Sequence, residues 1–233
     1  MTPVQHPAGD LAFVLAGETV VCRPSGALWI EAHGALVVAD LHLEKGSFYA
    51  ARGQLLPPYD TAETLRLLAK EVVALSPCLL ILLGDSFHDR EGEGRLAADD
   101  VESLWSLSRG RALHWITGNH DPSGPRDLPG EATASLDMGP LRLVHEPLAG
   151  AAAGEVAGHL HPCARVAARG ASVRRRCFVT DGERAILPAF GTLAGGLNIR
   201  HAAFRNLFRA KPLAVVLGAG RVHAVGWRSL RDD

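Results

Sequence analysis

The chain has 233 residues, of which 47% are hydrophobic and 21% are charged. A chain of this length and apolar content can bury a sizeable core, which excludes wholesale disorder. Its longest strongly apolar runs reach about seven residues, far fewer than the roughly 20 that a membrane-spanning helix needs. We therefore expect no membrane association.

The net charge of −1 hides an uneven distribution of charged side chains. Residues 1–150 contain 11 basic and 20 acidic side chains, whereas residues 151–233 contain 13 and 5, so the two parts carry −9 and +8. Such asymmetry occurs in proteins that bind a metal or a polyanion, and it also arises from ordinary surface charge. Composition alone leaves both explanations open.

Short apolar runs that end abruptly in a polar residue recur along the chain. Runs of this length, bounded by glycine or proline, predict buried strands. They are residues 35–39 before Asp40, 79–83 before Gly84-Asp85, 114–117 before Gly118-Asn119-His120-Asp121, 141–144 before His145, and 156–157 before Gly158-His159.

Two amphipathic helices are predicted between the first three strands. Residues 60–63 read Asp-Thr-Ala-Glu, which resembles a capping box at the start of a helix, and Pro77 follows its end. The buried face of this helix is expected to hold Leu65, Leu68, Ala69 and Val72. A second helix over residues 96–107 is expected to bury Val101, Leu104 and Trp105.

The alternation of strand and helix in the first half is typical of α/β architecture. Beyond residue 135, short strands with Gly/Pro turns predominate and predict a mixed or second sheet. No linker-like segment divides the chain. We therefore expect one domain over residues 1–233, with its functional motifs in 40–161 and a basic part in 162–233.

Every predicted strand is followed by Asp, Asn or His, and functional groups in open α/β sheets gather beyond the carboxyl ends of the strands. Residues two apart on a strand face one way, so the Asp-x-His and His-x-His pairs are each expected to point to one side. Carboxylates, an amide and imidazoles together suit Mn²⁺, Fe²⁺ or Zn²⁺. Each motif alone also fits a turn or a surface position. Their joint occurrence favours a metal site formed by Asp40, His42, Asp85, Asn119, His145, His159 and His161.

The order D-x-H, GD, GNHD, H, GHxH resembles the calcineurin-like binuclear metallophosphoesterases. The resemblance implies a β-sandwich of two mixed sheets flanked by helices, and two divalent ions, most readily Mn²⁺. It assigns the first ion to Asp40, His42, Asp85 and His161, and the second to Asp85, Asn119, His145 and His159, with Asp85 shared. It makes His120 the catalytic histidine, which we expect Asp121 to orient.

A narrower resemblance links the chain to the bacterial ligase-associated, DNA-damage-response endonuclease branch of that family. The blocks that carry it are DLHLEKG at 40–46, RGQ at 52–54, PPY at 57–59, LGDSFH at 83–88, HEP at 145–147, GHLHP at 158–162 and LPAFG at 187–191. It implies a metal-dependent phosphodiesterase acting on DNA, in the context of a DNA ligase, a helicase and an exonuclease. Many relatives read GDxxD where this chain has His88 followed by Asp89, and we expect both residues to support the ligands rather than bind metal.

Candidate substrate contacts are Arg52, Tyr49 and His88. Arg52 is placed to reach a phosphate, and Phe48 and Tyr49 offer ring surface on which a base stacks; ordinary loop packing explains the same residues. Two basic clusters in the C-terminal part favour sequence-tolerant contact with a phosphate backbone, although solvated surface accounts for either cluster alone. They are Arg165, Arg169, Arg174, Arg175 and Arg176, and Arg200, Arg205, Arg209 and Lys211.

Three functions are compatible with these motifs. The first is a phosphodiesterase that nicks DNA, with a preference for single strands. The second is an enzyme for nucleotides or other small phosphoesters. The third, a binding module without catalysis, predicts lost ligands, whereas all seven are present.

The four cysteines form no C-x-x-C pair, which favours reduced thiols used as small apolar side chains. Residues 1–9 show no secretory signal pattern. We expect a cytoplasmic protein.

Overall fold

Two mixed β-sheets form the body of the protein in a computed structural model that describes residues 2–150, 152–168 and 171–233. The first sheet holds its eight strands in chain order; β1 to β5 pair antiparallel and β5 to β8 run parallel. The strands are β1 (Val4–Gln5), β2 (Leu11–Leu15), β3 (Glu18–Cys22), β4 (Leu28–Ile30), β5 (Ala35–Val38), β6 (Leu79–Leu83), β7 (Ala112–Ile116) and β8 (Glu131–Thr133).

The second sheet follows the order β15-β12-β13-β14-β11-β10-β9, with β16 paired to β13, β17 to β16 and β18 to β12. Strand β11 runs parallel to both β10 and β14, and most other pairs are antiparallel. The strands are β9 (Ser135–Met138), β10 (Leu141–Val144), β11 (Glu155–Ala157), β12 (Pro162–Ala168), β13 (Ala171–Thr180), β14 (Arg184–Ile186), β15 (Leu197–Asn198), β16 (Leu213–Leu217), β17 (Val222–Gly226) and β18 (Leu230–Arg231).

Three α-helices accompany the sheets: α1 (Lys45–Ala50), α2 (Asp60–Leu75) and α3 (Ala98–Ser108). The expected capping box at the start of α2 is wrong. Tyr59 is the N-cap and makes no side-chain cap, while the Asp60 carboxylate accepts a hydrogen bond from the Gly46 N–H at 3.0 Å. Trp105 is 47% exposed, not buried, because the packed face of α3 carries Leu104 and Leu107 instead.

The alternation of side chains along β5 and β6 explains the layering. Val37 and Ile81 point into the core between the two sheets, whereas Leu36 and Leu82 point into a second core beneath α2 and α3. A strand covered on both faces is apolar throughout, which is why these runs lack polar residues until they end. A third cluster lies on the other face of the second sheet and includes Phe204 and Leu207.

The predicted mixed two-sheet architecture is confirmed by this arrangement. Within the described ranges, no helix is long and apolar enough to cross a membrane. The cysteines are free thiols: Cys22, Cys163 and Cys177 are buried, and Cys78 is exposed.

Candidate metal centre

The polar residues that follow the strands meet at one edge of the two sheets. Strands β5, β6 and β7 are parallel neighbours in the first sheet, and β10 and β11 are parallel neighbours in the second, so within each sheet their carboxyl ends lie together. The Asp40 carboxylate, from the first sheet, accepts the His159 N–H, from the second, at 3.0 Å. This hydrogen bond closes the edge between the sheets.

The backbone at this edge is strained. Asp40, His42, Asp85, His159 and His161 all have positive φ, between 45° and 69°. Each such residue costs on the order of 1–3 kcal/mol, and this kind of strain concentrates at functional sites. The expectation that Asp40 and His42 alternate along a strand is therefore wrong in its geometry.

The two side chains nevertheless point to one side. Leu41, which lies between them, is buried in the core beneath the helices, and this leaves Asp40 and His42 on the opposite side.

Three of the predicted ligands form what we call the first group: Asp40, His42 and His161. The Nε2 atoms of His42 and His161 are 3.1 Å apart, and His161 Nε2 lies 3.4 Å from Asp40 Oδ1. All three offer a ligand atom within 4.8 Å of the others, the spacing of donors around one ion.

Three more form the second group: Asp85, His145 and His159. His159 Nδ1 is 3.2 Å from His145 Nε2, which in turn lies 3.4 Å from Asp85 Oδ1. The Asn119 amide oxygen joins this group, at 3.0 Å from His145 Nε2 and 2.8 Å from His159 Nδ1. Carboxylate, imidazole and amide donors converge here as a divalent ion requires.

Asp85 stands between the two groups. Its Oδ1 faces His145, while its Oδ2 lies 4.0 Å from His42 Nε2. One carboxylate thus presents an oxygen to each group, which is the geometry of a shared ligand. All seven residues predicted as ligands are brought together at this edge.

The electrostatics of the centre favour a cation. Burial raises the pKa of Asp85, but the hydrogen bond to His145 and its charge outweigh burial and lower the pKa to about 2. Burial and the neighbouring His161 lower the pKa of His42 to about 2, so His42 is neutral. An ionised carboxylate and a neutral imidazole are the states in which these groups bind metal.

His145 is fixed as a ligand by its other ring nitrogen. Its Nδ1 lies 3.2 Å from the Leu83 carbonyl, which accepts only, so Nδ1 carries the hydrogen and Nε2 presents its lone pair to the second group. Burial lowers the pKa of His145, but Asp85 and Asp40 outweigh burial and raise it. A metal ion in the second group would displace that proton.

Two glycines leave room for the ligands. A Cβ on Gly84, whose φ is 75°, would stand 2.2 Å from His145 Nδ1. A Cβ on Gly118 would stand 2.3 Å from both the backbone nitrogen and Oδ1 of Asp85. The glycines of the GD and GNHD motifs are therefore needed for close packing at the centre.

His120 lies at the partly open rim of the centre, with Nε2 3.9 Å from Asp85 Oδ2. Its Nδ1 is 2.7 Å from the His88 carbonyl and, facing an acceptor, carries a hydrogen. The expectation that Asp121 orients His120 is wrong: among the described residues, no hydrogen bond or ion pair joins the two side chains. The His88 carbonyl orients the ring instead.

Asp121 supports the loops beneath the centre. Its carboxylate accepts hydrogen bonds from the backbone N–H groups of Gly118, Ser86 and Phe87 at 2.7 to 3.1 Å. Burial raises the pKa of Asp121 to about 6, with a contribution from Asp85 and against the effect of these donors. It ties the turn before Asn119 to the turn after Asp85.

His88 is buried against both the ligands and the rim. Its Nδ1 is 3.5 Å from His42 Nδ1, and its ring stacks on His120 with centroids 5.3 Å apart. Burial, together with the charge of Lys45, lowers the pKa of His88 to about 4. His42, His88 and His120 also place ligand atoms within 4.8 Å of one another, so the expectation that His88 lies outside metal reach is wrong in distance.

The rings of Phe48 and Tyr49, on α1, continue this wall of rings away from the centre. Their centroids lie 4.7 Å and 5.7 Å from that of His88. The exposed Arg52 guanidinium lies 3.5 Å from the Phe48 ring centroid and donates to the Phe48 carbonyl. The predicted substrate contacts therefore lie side by side next to the ligands.

Lys45, at the start of α1, was not predicted as a site residue. It is half-buried, and its charge reaches His88. Its place three residues after His42 in the DLHLEKG block was the signal that sequence analysis could have used.

The two basic clusters are largely engaged within the protein. Arg174 pairs with Asp233 and Arg200 with Asp232, while Arg176 donates to backbone carbonyls. Arg165 donates to Ser172, and Arg169 lies outside the described residues. Exposed basic side chains of the clusters include Arg175, Arg205, Arg209 and Lys211.

Comparison with known proteins decides the family. The model of the calcineurin-like phosphoesterases matches residues 35–167, more than half of the chain. The chain belongs to this family. It is therefore a hydrolase of phosphoester bonds, and the family uses divalent metals, for which the His and Asp groups described above are suited.

Two solved structures are similar to this member of the family. A Pseudomonas putida nuclease, MPE, is 27% identical over 96% of this chain and 99% of its own, with a TM-score of 0.69. YfcE, a phosphoesterase from E. coli, is 18% identical over 82% of this chain and 98% of its own, with a TM-score of 0.38. A comparison with curated proteins found no match.

Proposed function

We propose that this phosphoesterase is an endonuclease that hydrolyses DNA phosphodiester bonds, with a preference for single strands, using two divalent ions, most readily Mn²⁺. The observation that carries the proposal is the pair of donor groups joined by Asp85, with His120 at their open rim. The similarity to a nuclease over nearly the full length of both chains supports DNA as the substrate.

The ligand assignment follows the two groups. The first ion would be held by Asp40, His42, His161 and Asp85, and the second by Asp85, Asn119, His145 and His159. Two ions held this way supply an activated water and neutralise charge on the phosphoryl oxygens. Without them, the carboxylates of Asp40 and Asp85 repel each other across the centre.

His120 is the proposed general acid. Because its Nδ1 donates to the His88 carbonyl, a proton on Nε2 makes an imidazolium that the carbonyl stabilises. That Nε2 proton is the one available for the leaving oxygen of the substrate. Asp121 contributes indirectly, by holding the backbone on either side of Asn119 and His120 in place.

The test replaces His120 by Asn and measures both bound metal and turnover of a small aryl phosphodiester. We expect kcat to fall by about 10²- to 10⁴-fold, the usual value of a general acid, with two metal equivalents retained. His223→Asn, at an exposed position on β17, is the matched control and should leave kcat unchanged. Activity of the His120 variant within a few-fold of the unchanged protein would overturn the assignment.

Substrate contacts in this proposal come from the rings and charges beside the centre. Tyr49 and His88 form a wall on which a base stacks, and Arg52, exposed next to it, contacts a flanking phosphate. With Mn²⁺ present, cleavage of circular single-stranded DNA, duplex DNA and a small aryl phosphodiester should be compared. Hydrolysis of the small ester alone would favour the alternative function, an enzyme of nucleotides or other small phosphoesters.

The cellular setting remains part of the proposal. We place the protein in the cytoplasm, as one domain over residues 1–233 that acts in the response to DNA damage. Association with a DNA ligase, a helicase or an exonuclease rests on the family resemblance alone.

A further inference from the structure

Arg176 is a cation on β13 whose charge is satisfied entirely by backbone carbonyls. Its Nη1 and Nη2 atoms lie 2.8 to 3.5 Å from the carbonyl oxygens of five residues, all in one loop: Ala189, Phe190, Gly191, Thr192 and Ala194. In the described part of the chain, no carboxylate lies within ion-pair distance of it. A desolvated guanidinium requires such partners, and its planar fork can hold several carbonyls at once.

The loop that Arg176 binds, residues 189–197, is here called the anchor loop. It joins β14 to β15 and passes along both backbone segments of the first group. The Gly191 N–H donates to the Asp40 carbonyl at 3.2 Å, and the Leu197 N–H donates to the His161 carbonyl at 3.1 Å. Among the described residues, the anchor loop makes no backbone hydrogen bond to the second group.

The contact with the first group leaves no slack. A Cβ on Gly191 would stand 2.0 Å from the Leu41 carbonyl oxygen, and a Cβ on Gly196 would stand 2.4 Å from that of His161. Asp40 and His161 both have left-handed backbone conformations, with φ of 53° and 45°. Residues held in such conformations depend on the surrounding structure to keep them there.

A second tether fixes the anchor loop from the helix side. The Thr192 N–H donates to Thr64 Oγ1 at 3.1 Å, and the Thr192 hydroxyl donates to the Asp60 carbonyl at 3.2 Å. Thr64 and Asp60 belong to α2. The loop is thus held between a guanidinium on the second sheet and a helix on the first.

We infer that Arg176 is a positioning residue for the first metal ion: it folds the anchor loop into the shape that holds the backbones of Asp40 and His161. Arg176 acts at a distance, because it donates to the loop and the loop contacts the ligand segments. Its effect falls on one ion and spares the other, since the second group has its own supports in Leu83 and Asn119. The inference rests on the proposed two-ion site.

The experiment titrates the metal-free protein with Mn²⁺ and counts bound ions by calorimetry and electron paramagnetic resonance. The unchanged protein should bind two ions. In Arg176→Gln, one ion should bind about 10- to 100-fold more weakly, the usual result of removing an outer support of a ligand, while the other keeps its affinity within threefold. Arg176→Lys should not restore the weak ion, because an ammonium is a point charge and lacks the planar fork.

Two further variants separate positioning from folding. Arg175→Gln changes the neighbouring, exposed arginine of the same strand and should leave both affinities unchanged. Thr64→Val removes the acceptor for the Thr192 N–H while leaving Arg176 in place, and it should weaken the same ion several-fold. If Arg176→Gln does not fold, Thr64→Val decides the outcome.

The outcomes distinguish the inference from the function. Fewer than two ions in the unchanged protein would overturn the proposed two-ion site itself. Two ions in the unchanged protein, with both affinities intact or both weakened equally in the Arg176 and Thr64 variants, would overturn the positioning role alone.

Discussion

The two sheets contribute to the metal centre in different ways. The first sheet supplies both carboxylates, Asp40 and Asp85, together with Asn119 and His120, whereas the second supplies only imidazoles from His145, His159 and His161. Charge follows the same division, at −9 for residues 1–150 and +8 for residues 151–233.

The two charges are used differently as well. The anionic side chains of the first sheet converge on the centre, where a divalent cation would balance them. The cationic side chains of the second sheet are largely engaged within it: Arg174, Arg184 and Arg200 pair with carboxylates, and Arg176 holds the anchor loop. The acidic half is thus the chemical part, and much of the basic charge holds loops and chain ends in place.

The largest expected effect comes from neutralising the shared carboxylate of the first sheet. Asp85→Asn keeps the shape of the side chain but removes the charge that faces both groups. Loss of an outer support costs about 10- to 100-fold in metal affinity, so loss of this direct, shared ligand should lower kcat/KM by more than 100-fold and reduce bound metal. Inductively coupled plasma mass spectrometry and aryl-diester hydrolysis measure the two effects.

Asp137→Asn, at an exposed position of β9 in the second sheet, is the matched control and should have no effect. If Asp85→Asn retained full metal content and activity, the first sheet would not be the anionic half of the centre.

The sequence reveals this division only in part. Apolar runs such as residues 79–83 predict their strands correctly because both faces are covered, and a polar residue there would be buried. The ligand set is predictable for the same reason: polar residues appear only where the strands end. Confirmation of the two-sheet architecture follows from local patterns of this kind.

What the sequence does not reveal depends on contacts between distant residues. The His88 carbonyl that orients His120 belongs to a residue 32 positions away, and a backbone atom leaves no mark in the sequence. Asp121 is adjacent to His120 in sequence, yet it faces the opposite way. The run Arg174-Arg175-Arg176 suggests one basic surface, but neighbouring strand residues face opposite sides, so Arg176 is enclosed by the anchor loop while Arg175 is exposed.

A second prediction tests whether the arginines of the second sheet serve structure. Arg184 is buried, forms a 2.8 Å ion pair with Glu155, and donates to the carbonyls of Leu207 and Leu148. Arg184→Met would leave Glu155 buried without its partner, a change that costs about 3–5 kcal/mol. Urea unfolding should show this loss, and Glu155→Gln in the same chain should recover part of it.

Arg205→Met, at an exposed position, is the control and should change the free energy of unfolding by less than about 0.5 kcal/mol. A loss below 1 kcal/mol for Arg184→Met would show that the basic half does not depend on its buried arginine, and the comparison between the two sheets would fail on that side.

The smallest expected effect concerns the basic side chains that remain exposed. Replacing Arg205, Arg209 and Lys211 by Glu removes the exposed positive charges of the second basic cluster, and we expect single-stranded DNA to bind less than about tenfold more weakly, because few phosphate contacts are lost. Fluorescence anisotropy at several salt concentrations measures the affinity and its salt slope, and aryl-diester turnover should stay constant because these residues lie outside the metal centre. A loss of 100-fold or more, with a salt slope reduced by about three contacts, would instead make this surface a main DNA-binding face. The +8 would then be a functional charge equal in importance to the −9, rather than one used mostly within the fold.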